Sequence, residues 1–85
     1  MPDNALGTPD REELRALVAR VLEVDVADVT DQANFTQDLG ADSLMMLEVA
    51  AGITKRFGIR VSDAAVNEVG SLTELHELVL AAQKG

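Results

Sequence analysis

Aromatic side chains are almost missing from a chain that is 47% hydrophobic: it has no Trp, no Tyr, and only Phe35 and Phe57. Its core must therefore be assembled from Leu, Val, Ile, Met and Ala, a palette that favours helices packed on helices. At 85 residues there is room for one small domain and no deep enclosed active site. Zero cysteines remove disulfides, thiolate metal sites and cysteine nucleophiles together. Fifteen acidic against seven basic residues give a net charge of −8, which disfavours nucleic acid and anionic membrane and attracts basic partner surfaces. No apolar run reaches the roughly 18 residues of a membrane span, and Met1-Pro2-Asp3-Asn4 lacks the positive charge of a signal peptide, so a cytoplasmic monomer is expected.

Periodicity divides the chain. Residues 1–7 read as a flexible start, after which Thr8 can cap a helix with Pro9 at its first position and Asp10, Glu12 and Glu13 near the positive end of its dipole. Leu14, Leu17, Val18, Val21 and Leu22 then share one face, predicting a helix over 9–23. From Glu23 to Asp42 the helical period fails. Turn and cap formers dominate a connection of about 20 residues, in which Val26, Val29, Phe35 and Leu39 are the expected anchors of an ordered loop. A second helix should open at Asp42 or Ser43 and stop at Gly58. A short third helix is expected around 62–69. Ser71 with Glu74 forms a capping box for a last helix, whose Leu72, Leu75, Leu78 and Val79 face inward, and residues 83–85 should fray. The predicted fold is an all-α four-helix bundle, three main helices and one short, with a long ordered loop between the first two.

The second helix carries two apolar stripes. Met46, Val49, Ala50, Ile53 and Phe57 make the expected core face, while Leu44, Leu47 and Ala51 recur on a neighbouring face bordered by Glu48 and Lys55, with Met45 further round. The helix is either buried on all sides or leaves its second stripe for a partner or cargo; the bordering charges favour the latter. Gly52 costs roughly 1 kcal/mol relative to alanine inside a helix, and with Ala50 and Ala51 it forms a small-residue patch suited to close packing of a neighbouring helix.

Most site chemistries fail on residue type or spacing. The hydrolase elbow needs glycine two positions to either side of its serine, where Ser43 has Ala41 and Met45. The chain's single histidine, His76, lies in a different helical pattern and reads as a surface residue, leaving Ser43 without an evident base. One histidine and no cysteine do not make a zinc site, and the aspartates lack the spacing of a calcium loop. What remains is a serine at a helix N-terminus, where backbone N–H groups and the dipole favour a phosphate ester: phosphoserine or a phosphodiester-linked arm. A small acidic interaction module, with Ser43 as a mere cap, is the reading of a different class.

The stretch Asp38-Leu39-Gly40-Ala41-Asp42-Ser43-Leu44 resembles the modification motif of acyl carrier proteins of fatty acid and polyketide synthesis. The resemblance extends to Val29-Thr30, Phe35, Phe57-Gly58-Ile59, Val61-Ser62-Asp63 and Ser71-Leu72, and covers nearly all of residues 8–82. It implies a non-catalytic carrier on which Ser43 receives 4′-phosphopantetheine from coenzyme A through a phosphopantetheinyl transferase. The arm's thiol would hold acyl cargo as a thioester for partners such as a ketosynthase and an acyltransferase. By the same resemblance Asp42 would orient the modification site. Leu44, Met45, Leu47, Glu48 and Ala51 would form the recognition face, to which Asp63 adds. Fatty acid carriers usually have a denser acidic second helix than one containing Met45, Thr54, Lys55 and Arg56, which tilts the expectation toward polyketide or other specialised synthesis. The Ala-Asp before Ser43 fits acyl carriers better than peptidyl carriers.

Overall fold

The computed structural model describes residues 10–84, and these form four α-helices with no strand among them. They are α1 (Arg11–Leu22), α2 (Ser43–Phe57), α3 (Asp63–Glu68) and α4 (Leu72–Lys84), with one 3-10 turn, Val26–Asp28, in the connection after α1. Helix α1 packs on both α2 and α4, and α3 bridges the same two. Helices α2 and α4 stay apart, with no pair of Cα atoms within 8 Å.

Helix α1 buries Leu14, Leu17, Val18, Ala19 and Leu22, and Val21 is half-buried at the edge of that stripe. The expected cap at Thr8 and Pro9 lies outside the described residues; the helix they were to open has Asp10 as its N-cap residue, without a side-chain cap bond. It stops at Glu23, which takes the left-handed conformation (φ 61°) and sends its N–H back to Arg20. A glycine ordinarily ends a helix this way. Glutamate gives no such signal, so the end falls one residue before the expected limit. At its other boundary α4 runs past the expected point of fraying, with Gln83 and Lys84 still helical.

The long connection is ordered, as its scattered apolar residues imply. Val29 and Phe35 are fully buried and Leu39 is half-buried, whereas Val26 is 50% exposed and anchors nothing. Val24 packs on the core in its place, together with the buried Ala41. Backbone bonds tie the loop to the start of α4: the Phe35 N–H donates to the Gly70 carbonyl (2.9 Å) and the Thr73 N–H to that of Asp31 (3.3 Å). On the other side Arg15 of α1 donates to both carboxylate oxygens of Glu12, to Asp31 (2.8 Å) and to the Val29 carbonyl, while Arg11 adds a second bond to Asp31 (2.9 Å). The bonds to Arg15 hold the Glu12 and Asp31 carboxyls below the usual carboxylate range and raise Arg15.

Gly52 explains how α1 and α2 come so close. A Cβ built there would stand 2.8 Å from a Leu17 methyl, so close packing accounts for the small-residue patch. Helix α3 is capped by Ser62, whose Oγ accepts from Ala65 N–H (3.0 Å). The box at α4 forms in modified shape. Ser71 Oγ accepts weakly from Glu74 N–H (3.4 Å), and the Glu74 carboxylate accepts from Gly70 N–H (2.7 Å), one residue earlier than in the regular arrangement. Leu72, Leu75 and Val79 are buried; Leu78 is half-buried against them.

Candidate attachment site and docking face

Ser43 sits where the pinned loop becomes a helix. Gly40, at φ 72°, makes the turn that delivers Ala41 into the core and Asp42 to the surface. Asp42 is the N-cap of α2: its Oδ1 accepts the Met45 N–H at 2.9 Å and its carbonyl the Met46 N–H at 3.0 Å. The cap is therefore the aspartate, and Ser43 is the first helical residue with an exposed side chain. This corrects the alternative in which Ser43 serves as the cap. The N–H groups of Ser43 and Leu44 take no acceptor among the described residues, which leaves open donors and the positive end of a 15-residue helix beside the hydroxyl. An exposed hydroxyl at such a terminus fits a phosphodiester. Asp42 acts on Ser43 by fixing the helix start.

The two stripes of α2 separate as the residue pattern requires. Met46, Val49, Ala50 and Ile53 are buried and Phe57 is half-buried, so the inner face is nearly the expected one. On the outer face Leu44 is 65% and Leu47 42% exposed, and Glu48, Ala51 and Lys55 are exposed beside them. The possibility that α2 is buried on all sides is thereby removed. At about 100° per residue, Leu44, Glu48, Ala51 and Lys55 lie in one ridge pointing away from the core, with Leu47 on its shoulder. Met45 is different: it is half-buried against the core, round toward the α1 side. Asp63 is exposed at the first position of α3, which packs on α2.

His76 is half-buried on α4, not a plain surface residue. No Cα atom of α2, that of Ser43 included, lies within 8 Å of one in α4, so the fold gives no support to Ser43 and His76 as nucleophile and base. The described residues contain no cluster of three or more side chains suited to a metal ion, and no helix among them is long and apolar enough to cross a membrane. A hollow of about 270 Å³ lined by Phe57, Gly58, Ile59, Arg60, Ala82 and Gln83 lies at the other end of α2. At about 1.5 Å per residue that is roughly 20 Å from Ser43.

The sequence pattern of the family described as "Phosphopantetheine attachment site" matches residues 12–79, most of the chain. The chain belongs to the acyl carrier proteins. It is 44% identical over 79 residues to "Polyketide-8 synthase acyl carrier protein 2" of Streptomyces avermitilis, covering 93% of this chain and 91% of that one. It is 38% identical over 58 residues to an acyl carrier protein of Helicobacter pylori, covering 68% and 74% respectively. Among solved structures, the solution structure of 3-oxo-butyl-ACP, an intermediate mimic from the actinorhodin polyketide synthase of Streptomyces coelicolor, superposes with a TM-score of 0.76. That likeness covers 92% of this chain and 94% of the other at 24% identity, and it shows the shared fold. As a member of this family the carrier is non-catalytic, takes a phosphopantetheine group, and works with synthase enzymes and acyl cargo. When bound, that group supplies the thiol on which acyl chains travel, the sulfur chemistry that a cysteine-free chain lacks.

Proposed function

We propose that Ser43 is the attachment residue and that the chain carries acyl intermediates of a polyketide or related specialised pathway, after modification by a separate phosphopantetheinyl transferase in the cytoplasm. The observation that carries this reading is an exposed serine at the first position of α2, held at a fixed helix start by Asp42 and at the end of a loop pinned on both sides. The polyketide assignment is supported by the 44% identity to the Streptomyces avermitilis protein. The family match over 12–79 supports residues 8–82 as the carrier domain.

The outer face of α2 is the docking surface in this reading. Leu44, Leu47 and Ala51 supply apolar contact, Glu48 a charged edge, Met45 the shoulder toward α1, and Asp63 an outlying carboxylate on α3. Ketosynthase and acyltransferase partners would seat on this face and receive the arm from Ser43 into their own active sites. The domain's contribution is a rigid handle and a high local concentration of tethered substrate.

Incubation with coenzyme A and a broad-specificity transferase should add about 340 Da to the protein, the mass of the arm, and Ser43→Ala should abolish the gain. Since Asp42 provides the cap, Ser43→Ala should change stability by no more than about 0.5 kcal/mol. A folded wild-type protein that gains no mass would overturn the assignment.

A further inference from the structure

The C-terminal end of α2 inverts the charge of the molecule. Lys55, Arg56 and Arg60 are three of the chain's seven basic residues, gathered within six positions of a protein with fifteen acidic ones. All three are exposed, and among the described residues none has a carboxylate within 4 Å. Arg11 and Arg15 show the contrast, since both are engaged by Asp31. Arg56 is steered by its neighbour, with its guanidinium 5.9 Å from the centre of the Phe57 ring. Arg60 lines the hollow of about 270 Å³ at this end.

Helix electrostatics explain part of this arrangement. Lys55 and Arg56 lie in the last turn of α2, where cations complement the negative end of the dipole. That leaves Arg60 unexplained, because it lies two residues beyond the Gly58 cap. Nor does it explain why Lys55 continues the outward ridge of Leu44, Glu48 and Ala51, about 16 Å along the axis from Leu44.

From this we infer that a partner enzyme seated on the outer face of α2 presents carboxylate side chains to Lys55, at the far end of that ridge, and to Arg60 just beyond the helix, an acidic patch some 16–20 Å from the entrance that receives Ser43; Arg56, about 100° round the helix from Lys55, adds to the local positive potential. The inference rests on the docking face proposed above. It assigns the partner surface an apolar zone near the serine and a negative zone beyond it. Overall charge of −8 draws basic surfaces from a distance, but this patch selects for the opposite sign at contact and fixes the direction in which α2 lies on its partner.

The test uses the full-length, arm-bearing protein as the substrate of the ketosynthase that elongates its acyl group. Lys55→Glu and Arg60→Glu are compared with Arg20→Glu, a cation on the exposed side of α1 whose reversal changes net charge equally. The expected result is a KM raised about tenfold by each of the first two, with kcat unchanged and the effect shrinking as salt rises; Arg20→Glu leaves KM alone. Equal effects of all three would reduce the patch to net charge and overturn the inference. So would lowered melting temperatures without a KM change, the sign of a dipole role only. No change in either KM while Leu44→Asp still raises it would remove the patch and leave the docking face intact. No effect of Leu44→Asp either would sink the docking face itself. Zero-length carbodiimide coupling gives an independent readout: Lys55 Nζ should join a partner Asp or Glu, and coupling solely through carrier carboxylates would contradict the assignment. Sedimentation of the carrier with anionic phosphatidylserine vesicles, lost in Lys55→Glu, would instead give the patch to a membrane and overturn the protein-partner reading.

Discussion

The loop over residues 23–42 and the outer face of α2 are both surface regions bearing apolar side chains, but they use them in opposite ways. In the loop, Val29 and Phe35 turn fully inward, and the segment is tied to α4 through Gly70 and Thr73 and to α1 through Arg11 and Arg15. On α2, regular hydrogen bonding leaves Leu44 and Leu47 in solvent, although the helix has a complete core face on its other side. The irregular backbone is thus the part whose apolar side chains are used in burial, with ion pairs beside them; the regular backbone presents the unspent apolar surface. In the proposed function both are used: the loop sets where α2 and Ser43 begin, and the exposed face of the helix offers the surface for a partner.

Removing the loop's anchor should have the largest effect. Phe35 is 1% exposed and is one of two aromatic residues in the chain, so Phe35→Ala should cost about 3–5 kcal/mol, a large share of the roughly 5–15 kcal/mol available to a small domain. Chemical denaturation would measure it, and a loss under 1 kcal/mol would show the loop to be a passenger. Gly52→Ala comes next. Its methyl would meet the Leu17 side chain at 2.8 Å, an overpacking cost of about 1–3 kcal/mol that exceeds the roughly 1 kcal/mol gained in helix propensity. A net loss near 1 kcal/mol is expected by thermal melting, and a stabilised variant would mean that α1 and α2 separate easily.

These two positions also mark how far residue pattern reaches. The limits of α2, its Gly58 end, the short helix after residue 62 and the outward stripe follow from local rules of period and capping, and so they were legible. Loop 23–42 has no period, so nothing local distinguishes the exposed Val26 from the half-buried Val24. The αL conformation of Glu23 carries no glycine to announce it. Arg15 and Asp31 are 16 residues apart, and no spacing rule joins them before the chain is folded. At the site, the period of α2 was enough to tell the exposed ridge of Leu44, Glu48, Ala51 and Lys55 from the buried face and to set Met45 apart from both, whereas the degree of its burial depends on tertiary packing that no local rule gives.

Smaller effects separate the regions further. Asp31 is held below the ordinary carboxylate range first by its hydrogen bond from Arg15. A depressed folded-state pKa gives stability that is present above the unfolded value, about 3.9, and is lost as pH falls through the folded one. Asp31→Asn should therefore lower the melting temperature at pH 7, and the gap to wild type should close as pH drops below about 4; a pH-independent gap would mean that packing, not charge, pins the loop. Leu44→Asp should have the least effect on stability, within about 0.5 kcal/mol, since the side chain is exposed and an acid suits the first turn of a helix. The same variant should weaken docking to the ketosynthase strongly. Loss of fold without selective loss of docking would make the ridge part of the core.

Intact-mass analysis with peptide mapping, on protein isolated from its native producer, tests the account most directly. Covalent mass of about 340 Da, with or without an acyl increment, should fall on the peptide containing Ser43 and nowhere else. Protein that is bare at Ser43 while its pathway is turning over, or an arm found on another residue, would contradict it.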